Sequence, residues 1–176
     1  MSRILIAYSS TDGHTRTICA RLRQVAQRQG HFTTVLPLAQ SETLDLEAFD
    51  TIVIGASIRY GKHQPEVAKF IQRHQALLER KGNAFFTVNI VARKPEKSRP
   101  ETNPDLIKFL RQISWKPKLL EVFAGRLDYP SYRFVDRFMI RLIMRMTNGP
   151  TDPKAVIDFT DWAQVDAFGL RLCSMP

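Results

Sequence analysis

The stretch Ile4-Leu5-Ile6-Ala7-Tyr8-Ser9-Ser10-Thr11-Asp12-Gly13-His14-Thr15 decides the fold. Its opening run, residues 3–8, is too continuously apolar for a sheet wetted on one side and predicts a strand buried on both faces. A turn rich in hydroxyls follows, and then residues 15–29 repeat apolar positions at helical spacing as far as Gly30, a helix stop. Four more short β-rich runs, at residues 32–36, 51–56, 84–88 and 119–124, predict strands of the same kind. Helical patterns lie between most of them: 65–80, opened by Pro65 and closed by Gly82, and 104–113, opened by Pro104. A last helix is expected from Trp162 toward Cys173, capped by Asp161. Strands alternating with helices imply right-handed crossovers and a doubly wound α/β fold on a five-stranded parallel sheet. Residues 126–150 interrupt that alternation as an insertion before the last helix.

At 176 residues the chain fits one domain, taken as 1–176, with a single continuous core. No apolar run reaches the ~18–20 residues that span a bilayer, and the start of the chain lacks a secretory signal pattern, so the expected compartment is the cytosol. Cys19 and Cys173 sit in helical patterns and read as small buried hydrophobes, while His14, His31, His63 and His74 lack metal-ligand spacing; no metal is expected. Net charge is +9 and unevenly spread. Residues 93–145 hold 13 basic and 6 acidic side chains, against 13 and 11 in the rest of the chain. A local basic surface follows, suited to an anionic lipid, an anionic small molecule or a nucleic acid.

In open α/β sheets, ligands lie beyond the carboxyl ends of the strands, and the first strand-to-helix turn is the usual phosphate cradle. Here that turn offers the hydroxyls of Ser9, Ser10, Thr11 and Thr15, Gly13 where backbone must approach closely, and the free N–H groups of the helix that opens near His14. Neither the Gly-x-x-x-x-Gly-Lys-Ser/Thr nor the Gly-x-Gly-x-x-Gly signature is present, which leaves a mononucleotide. The alternative is a plain capped turn rich in Ser and Thr; a strand before and a helix after favour the cradle.

The run Tyr8-Ser-Ser-Thr-Asp-Gly-His-Thr15 resembles the FMN-phosphate loop of flavodoxins, Thr/Ser-x-Thr-Gly-x-Thr, with Asp12 in place of a small residue. An acid there repels a phosphate dianion unless its carboxylate turns outward or caps N–H groups. That resemblance implies two further loops around the flavin ring. One is Gly55-Ala-Ser57-Ile58-Arg59-Tyr60-Gly61, where Tyr60 either stacks on the ring or is an exposed turn tyrosine. The other begins Asn89-Ile90-Val91-Ala92, where backbone amides and Asn89 face the pyrimidine edge.

Within the insertion, SYRFVDRFMIRLIMRMT (residues 131–147) places Arg133, Arg137, Arg141 and Arg145 every fourth residue. At ~100° per residue these form one stripe, and Val135, Phe138, Met139, Ile140, Leu142, Ile143 and Met146 cover the remaining arc of roughly 200°. This basic amphipathic helix suits an anionic membrane interface, with Arg133, Phe134, Arg137, Phe138, Arg141, Leu142 and Arg145 as the facing residues. The alternative is that its apolar face packs on the sheet or on a second copy of the chain in a homo-oligomer. A nucleic-acid role is not expected, because no binding module or interleaved aromatic platform accompanies the arginines.

Taken together, Gly55-Ala-Ser-Ile-Arg-Tyr-Gly61, Asn89-Ile-Val-Ala-Arg-Lys-Pro-Glu-Lys97, Asp136-Arg-Phe-Met-Ile-Arg-Leu-Ile-Met-Arg145 and Thr160-Asp-Trp162 closely resemble the flavodoxin-like, quinone-dependent protoporphyrinogen oxidases of bacteria. The resemblance covers nearly the whole chain; one departure is Thr11, where the family carries Arg. It implies six-electron oxidation of protoporphyrinogen IX to protoporphyrin IX through FMN, with electrons passed to menaquinone or ubiquinone. The flavin would carry the electron chemistry while the protein supplies position and charge. Two propionates on a large apolar ring call for cations beside apolar surface: Arg93, Lys94 and Lys97, with Arg59 and Lys62 opposite and Tyr129 and Tyr132 flanking. The inserted helix would dock on the cytoplasmic face of the membrane. A flavodoxin-like NAD(P)H:quinone reductase, a flavodoxin-type electron carrier and a membrane module without flavin are the other readings; a pI near 9.9 argues against the carrier, which is ordinarily acidic.

Overall fold

The computed structural model describes all 176 residues. In chain order the main elements are β1 (Arg3–Ser9), α1 (His14–Arg28), β2 (Phe32–Pro37), the single turn α2 (Leu38–Ser41), β3 (Thr51–Ser57), α3 (Pro65–Arg80), β4 (Gly82–Asn89), α4 (Pro104–Leu110) and β5 (Leu119–Ala124). There follow β6 (Arg126–Asp128), α5 (Phe134–Met146), β7 (Val156–Asp158) and α6 (Trp162–Cys173). The first five strands form one parallel sheet in the order β2-β1-β3-β4-β5, the flavodoxin-like order.

Alternation along each strand fills two separate cores. Leu5 and Ala7 of β1, Ile52, Ile54 and Ala56 of β3 and Phe85 of β4 point toward Val67, Phe70 and Ile71 of α3 and Leu106 and Phe109 of α4. Their neighbours Ile4, Ile6, Val53, Ala84, Phe86 and Val88 point the other way, toward Ile18, Cys19 and Leu22 of α1 and Val165, Phe168 and Leu172 of α6. Burial on both faces is why these strands read as continuous apolar runs. On that second face α1 and α6 are joined by a bidentate pair, with both Arg21–Asp166 hydrogen bonds at 2.6 Å.

Element ends refine the sequence expectations. Gly30 has φ 82 and serves as the expected left-handed stop beyond α1. Gly82 does not stop α3; it opens β4 opposite Thr51, and a Cβ there would lie 2.6 Å from Thr51 Oγ1. The helix expected over 104–113 ends at Leu110, where the bond from Gln112 N–H to the Phe109 carbonyl tightens the exit. Asp161 caps α6 as expected, accepting from the Ala163 and Gln164 N–H groups.

The insertion is longer than 126–150. After Gly125 the chain forms β6, turns through Tyr129–Ser131 into α5, and returns as β7, antiparallel to β6. Strands this short leave no periodic signal. Leu127, Tyr129, Tyr132, Ile140 and Met144 make a small core of their own beneath α5. No helix of the chain is long and apolar enough to cross a membrane.

Gly55 pairs with Phe86 across β3 and β4, and a Cβ at Gly55 would overlap the Phe86 ring. Gly55→Ala is therefore expected to lower unfolding stability by about 1–3 kcal/mol in a urea titration, the range for overpacking a core.

Candidate functional site

Register brings the three loops together. Ser9 pairs with Ala56, Ser57 with Val88 and Asn89 with Ala124, so β1, β3, β4 and β5 end level and their loops emerge side by side. They enclose a cleft of about 540 Å³ whose remaining wall is α5, through Met139, Ile140, Ile143 and Met144.

At one corner lies the start of α1. Gly13 takes φ 86 there, and no side chain caps the helix. Ser10 Oγ accepts the Gly13 N–H at 2.9 Å, shaping the turn. Thr15 lines the cleft, and its hydroxyl is buried without a hydrogen-bond partner. An orphaned hydroxyl beside the positive end of an uncapped helix is a donor set suited to a phosphate, since leaving it unsatisfied costs about 1–3 kcal/mol. The residues present therefore fit the phosphate of FMN. Two of the expected hydroxyls are engaged elsewhere: Ser9 is buried and donates to Glu66 of α3 at 2.7 Å, and Thr11 lies outside the cleft with its N–H on Ser57 Oγ at 3.2 Å.

Asp12 is neutralised. Its carboxylate pairs with Arg59, whose guanidinium also lies 3.4 Å from Asp136 of α5 and 5.3 Å from the centre of the Tyr132 ring. Tyr60 donates its hydroxyl to the same Asp136. Burial, with Asp136 beside it, pushes the Tyr60 hydroxyl pKa up. This chain of groups ties the phosphate loop, the second loop and the inserted helix to one another, and it removes Arg59 from the cations available to a substrate. Arg59 and Lys62 exchange backbone hydrogen bonds at 3.0 and 3.1 Å around Tyr60 (φ 51) and Gly61 (φ 72). Positive φ at both central residues makes this a two-residue hairpin that holds the Tyr60 ring at the cleft rim.

His14 also lines the cleft. Its Nε2 lies 2.6 Å from Thr160 Oγ1, whose own hydrogen goes to the Ala124 carbonyl at 2.7 Å, so Nε2 donates. Burial lowers the His14 pKa, only partly opposed by Asp158 at 3.6 Å. The imidazole therefore ties the phosphate loop to the start of α6.

The third loop is a short helical turn, Ile90–Arg93. Ile90 and Val91 face the cleft, whereas Ala92 points into the sheet core. The Asn89 amide borders the cleft but is not free to read a ligand edge: Asn89 and Asn103 exchange amide hydrogen bonds at 3.1 and 3.3 Å, and Asn89 Oδ1 holds the Ala92 N–H. The Arg93 guanidinium donates to the Ile90 carbonyl and to the carbonyl and hydroxyl of Thr147, fastening this loop to the end of α5. Lys94 and Lys97 line the cleft and make no ion pair. Tyr132 lines it too, with its hydroxyl accepting from the Asp128 N–H. Tyr129 does not; it is fully buried in the small core and donates to the Pro150 carbonyl at 2.6 Å.

Along α5 the arginine stripe is divided. Arg137 folds back onto the Tyr129 carbonyl (3.0 Å) and Arg141 onto that of Thr151 (2.9 Å), while Arg133 and Arg145 are exposed without partners. Ile140 and Met144 are buried; Phe134, Val135, Phe138, Leu142 and Met146 face solvent. The apolar arc thus serves two surfaces rather than one. Asp136, Ile140 and Met144, spaced four apart, are the inward row, and that spacing was the signal in the sequence. Asp105, at the start of α4, is a further cleft residue that no motif marked.

A flavodoxin domain family matches residues 5–154. The chain is 41% identical over 173 residues to protoporphyrinogen IX dehydrogenase [quinone] of Escherichia coli strain K12, covering 98% of this chain and 96% of that one. It is 39% identical over 175 residues to the Leishmania major protein of the same name, covering 99% and 76%. Among solved structures, a Bacillus cereus flavodoxin superposes with a TM-score of 0.54 at 14% identity, covering 97% of both chains, a likeness of fold. The chain belongs to the flavodoxin-domain family of quinone-dependent protoporphyrinogen IX dehydrogenases.

Proposed function

We propose that this protein binds FMN in the cleft, oxidises protoporphyrinogen IX to protoporphyrin IX and passes the electrons to a respiratory quinone. The observation that carries the reading is the cleft itself: an apolar wall of Met139, Ile140, Ile143 and Met144 faces two unpaired lysines, Lys94 and Lys97, beside a phosphate corner. Bound FMN supplies the two-electron acceptor. The protein's part is positioning and charge. Thr15 and the first turn of α1 hold the phosphate, Tyr60, Ile90 and Val91 border the ring, and Lys94 and Lys97 receive the propionates. Sulfur and branched side chains on α5 shape themselves to a large flat ring.

The outer face of α5 supports docking on the cytoplasmic membrane surface. Phe134, Phe138 and Met146 are 83%, 62% and 77% exposed, with Arg133 and Arg145 free at either end. Apolar anchors flanked by arginine match an anionic headgroup layer, where each arginine contributes about 1 kcal/mol.

Three outcomes are expected. Under anaerobic conditions protoporphyrinogen IX should bleach the flavin, with recovery on adding a menaquinone or ubiquinone analogue; Lys94→Gln with Lys97→Gln should raise the porphyrinogen concentration needed at least tenfold. Bleaching by NADPH but not by porphyrinogen would instead establish a nicotinamide:quinone reductase. Thr15→Val should weaken FMN binding about 10–100-fold in a fluorescence titration, while the apoprotein, relieved of an unsatisfied buried hydroxyl, keeps or gains stability. The protein should co-sediment with phosphatidylglycerol vesicles and not with phosphatidylcholine vesicles; Phe134→Ser with Phe138→Ser should abolish this. A concentration-dependent dimer lost in the same variant would assign the face to a second copy.

A further inference from the structure

The overall reaction removes hydride equivalents and protons in equal number, and a side chain beside the substrate that takes the protons would speed each round. Its titratable side chains are few, and nearly all are engaged. The Asp12 carboxylate pairs with Arg59, His14 Nε2 donates to Thr160, the Tyr60 hydroxyl donates to Asp136, and the Tyr132 hydroxyl accepts from the Asp128 N–H and lies 3.4 Å from the Arg126 carbonyl. The remaining candidates, Arg59, Arg93, Arg126, Lys94 and Lys97, are cations.

Asp105 differs from all of these. It stands in the first turn of α4 and makes no ion pair; its single side-chain partner is the Asn89 amide, 3.3 Å from Oδ2. The Oδ1 atom lies toward Gly61, where an added Cβ would sit 3.4 Å away. Asp105 and Gly61 also line a second, more polar cavity of about 370 Å³, together with Lys62, His63, Gln64, Lys108 and Gln112. The carboxylate is therefore on the partition between the cleft and a polar outlet.

We propose that Asp105 is the proton acceptor of porphyrinogen oxidation and passes each proton outward through the second cavity. This rests on the functional reading above. In each round a meso C–H bond breaks and its electron pair leaves with the hydrogen as hydride, which FMN bound in the cleft would accept. A proton is lost to Asp105 in the same round, from a pyrrole N–H in two rounds and from the fourth meso carbon in the other, and the electrons of that broken bond form the new double bond, so that four meso and two N–H hydrogens leave in all. Bound FMN would supply the two-electron relay, the hydride's electrons and proton leaving with one further proton from water to reduce the quinone to its quinol, and Asp105 releases its own proton to water before the next round.

The charged and titratable groups facing Asp105 are Lys97 from the third loop, Lys62 and His63 between the second loop and α3, and Lys108 on its own helix. Burial raises the Asp105 pKa, partly offset by Lys108 and Lys97. Burial holds the His63 pKa down at about 4, so that side chain is uncharged near neutral pH. Raising the pKa brings a carboxylate closer to a base matched to neutral pH.

The test is Asp105→Asn in the FMN-loaded protein, with Asp105→Glu as the conservative variant. The rate of anaerobic bleaching by protoporphyrinogen IX should rise with pH through the Asp105 titration in the unaltered protein. In Asp105→Asn it should fall about 10²–10⁴-fold and lose that pH dependence. Asp105→Glu should restore part of the rate together with a pH profile. FMN content, protoporphyrin binding by fluorescence quenching and flavin reoxidation by quinone should be unchanged in Asp105→Asn. Carbon-13 NMR of labelled aspartate should show one carboxyl titrating above the ordinary range that is missing in Asp105→Asn. An unchanged bleaching rate, or a slower one with the pH profile intact, would overturn the assignment of Asp105. Failure of the unaltered protein to bleach at all would overturn the functional reading and this inference with it.

Discussion

The cleft depends on strands that end level. In a parallel sheet buried on both faces, each strand is fixed in register by two layers of packed side chains, because a slip by one residue would exchange its two faces. Ile4 and Leu5, or Phe85 and Phe86, belong to different cores although they are neighbours in sequence. That constraint sets the carboxyl ends of β1, β3, β4 and β5 beside one another, and the loops that follow them have to meet. The close approach of Gly55 to Phe86 is part of the same packing.

On this platform the insertion supplies what a plain doubly wound sheet lacks. It adds an apolar wall, and it is held in place by polar ties at both ends of α5. At the start, Asp136 joins Arg59 and Tyr60; at the end, Thr147 receives Arg93. Arginines that would otherwise attract an anionic substrate are thereby engaged with the protein, and the positive charge left in the cleft rests on Lys94 and Lys97 near the third loop. A planar guanidinium with several donors suits fastening of this kind, whereas a lysine ammonium on a flexible stem remains available to a mobile anion.

Ion pairing also accounts for the unusual phosphate loop. Asp12 is an acid where a small neutral residue is customary, and its pairing with Arg59 leaves the uncapped start of α1 and the unpartnered Thr15 hydroxyl as the anion-attracting features of that corner. The pair is partly exposed, so its role is local neutralisation and positioning of the second loop rather than a large contribution to stability.

The sequence by itself determined the sheet, its helices and the phosphate loop, because those rest on short-range patterns: continuous apolar runs, helical spacing, and a glycine turn between a strand and a helix. It also determined the existence and amphipathic character of α5. Only the tertiary structure decided which of the candidate side chains remain free. Arg59 and Arg93 look like substrate cations until Asp12, Asp136 and Thr147 are brought beside them from 47, 77 and 54 residues away. Tyr129 and Tyr132 are near neighbours in the chain, yet one is sealed in the small core and the other borders the cleft. Asp105 carries no motif; its place between two cavities arises from packing between α4 and the second loop, and no local pattern of residues encodes such a meeting.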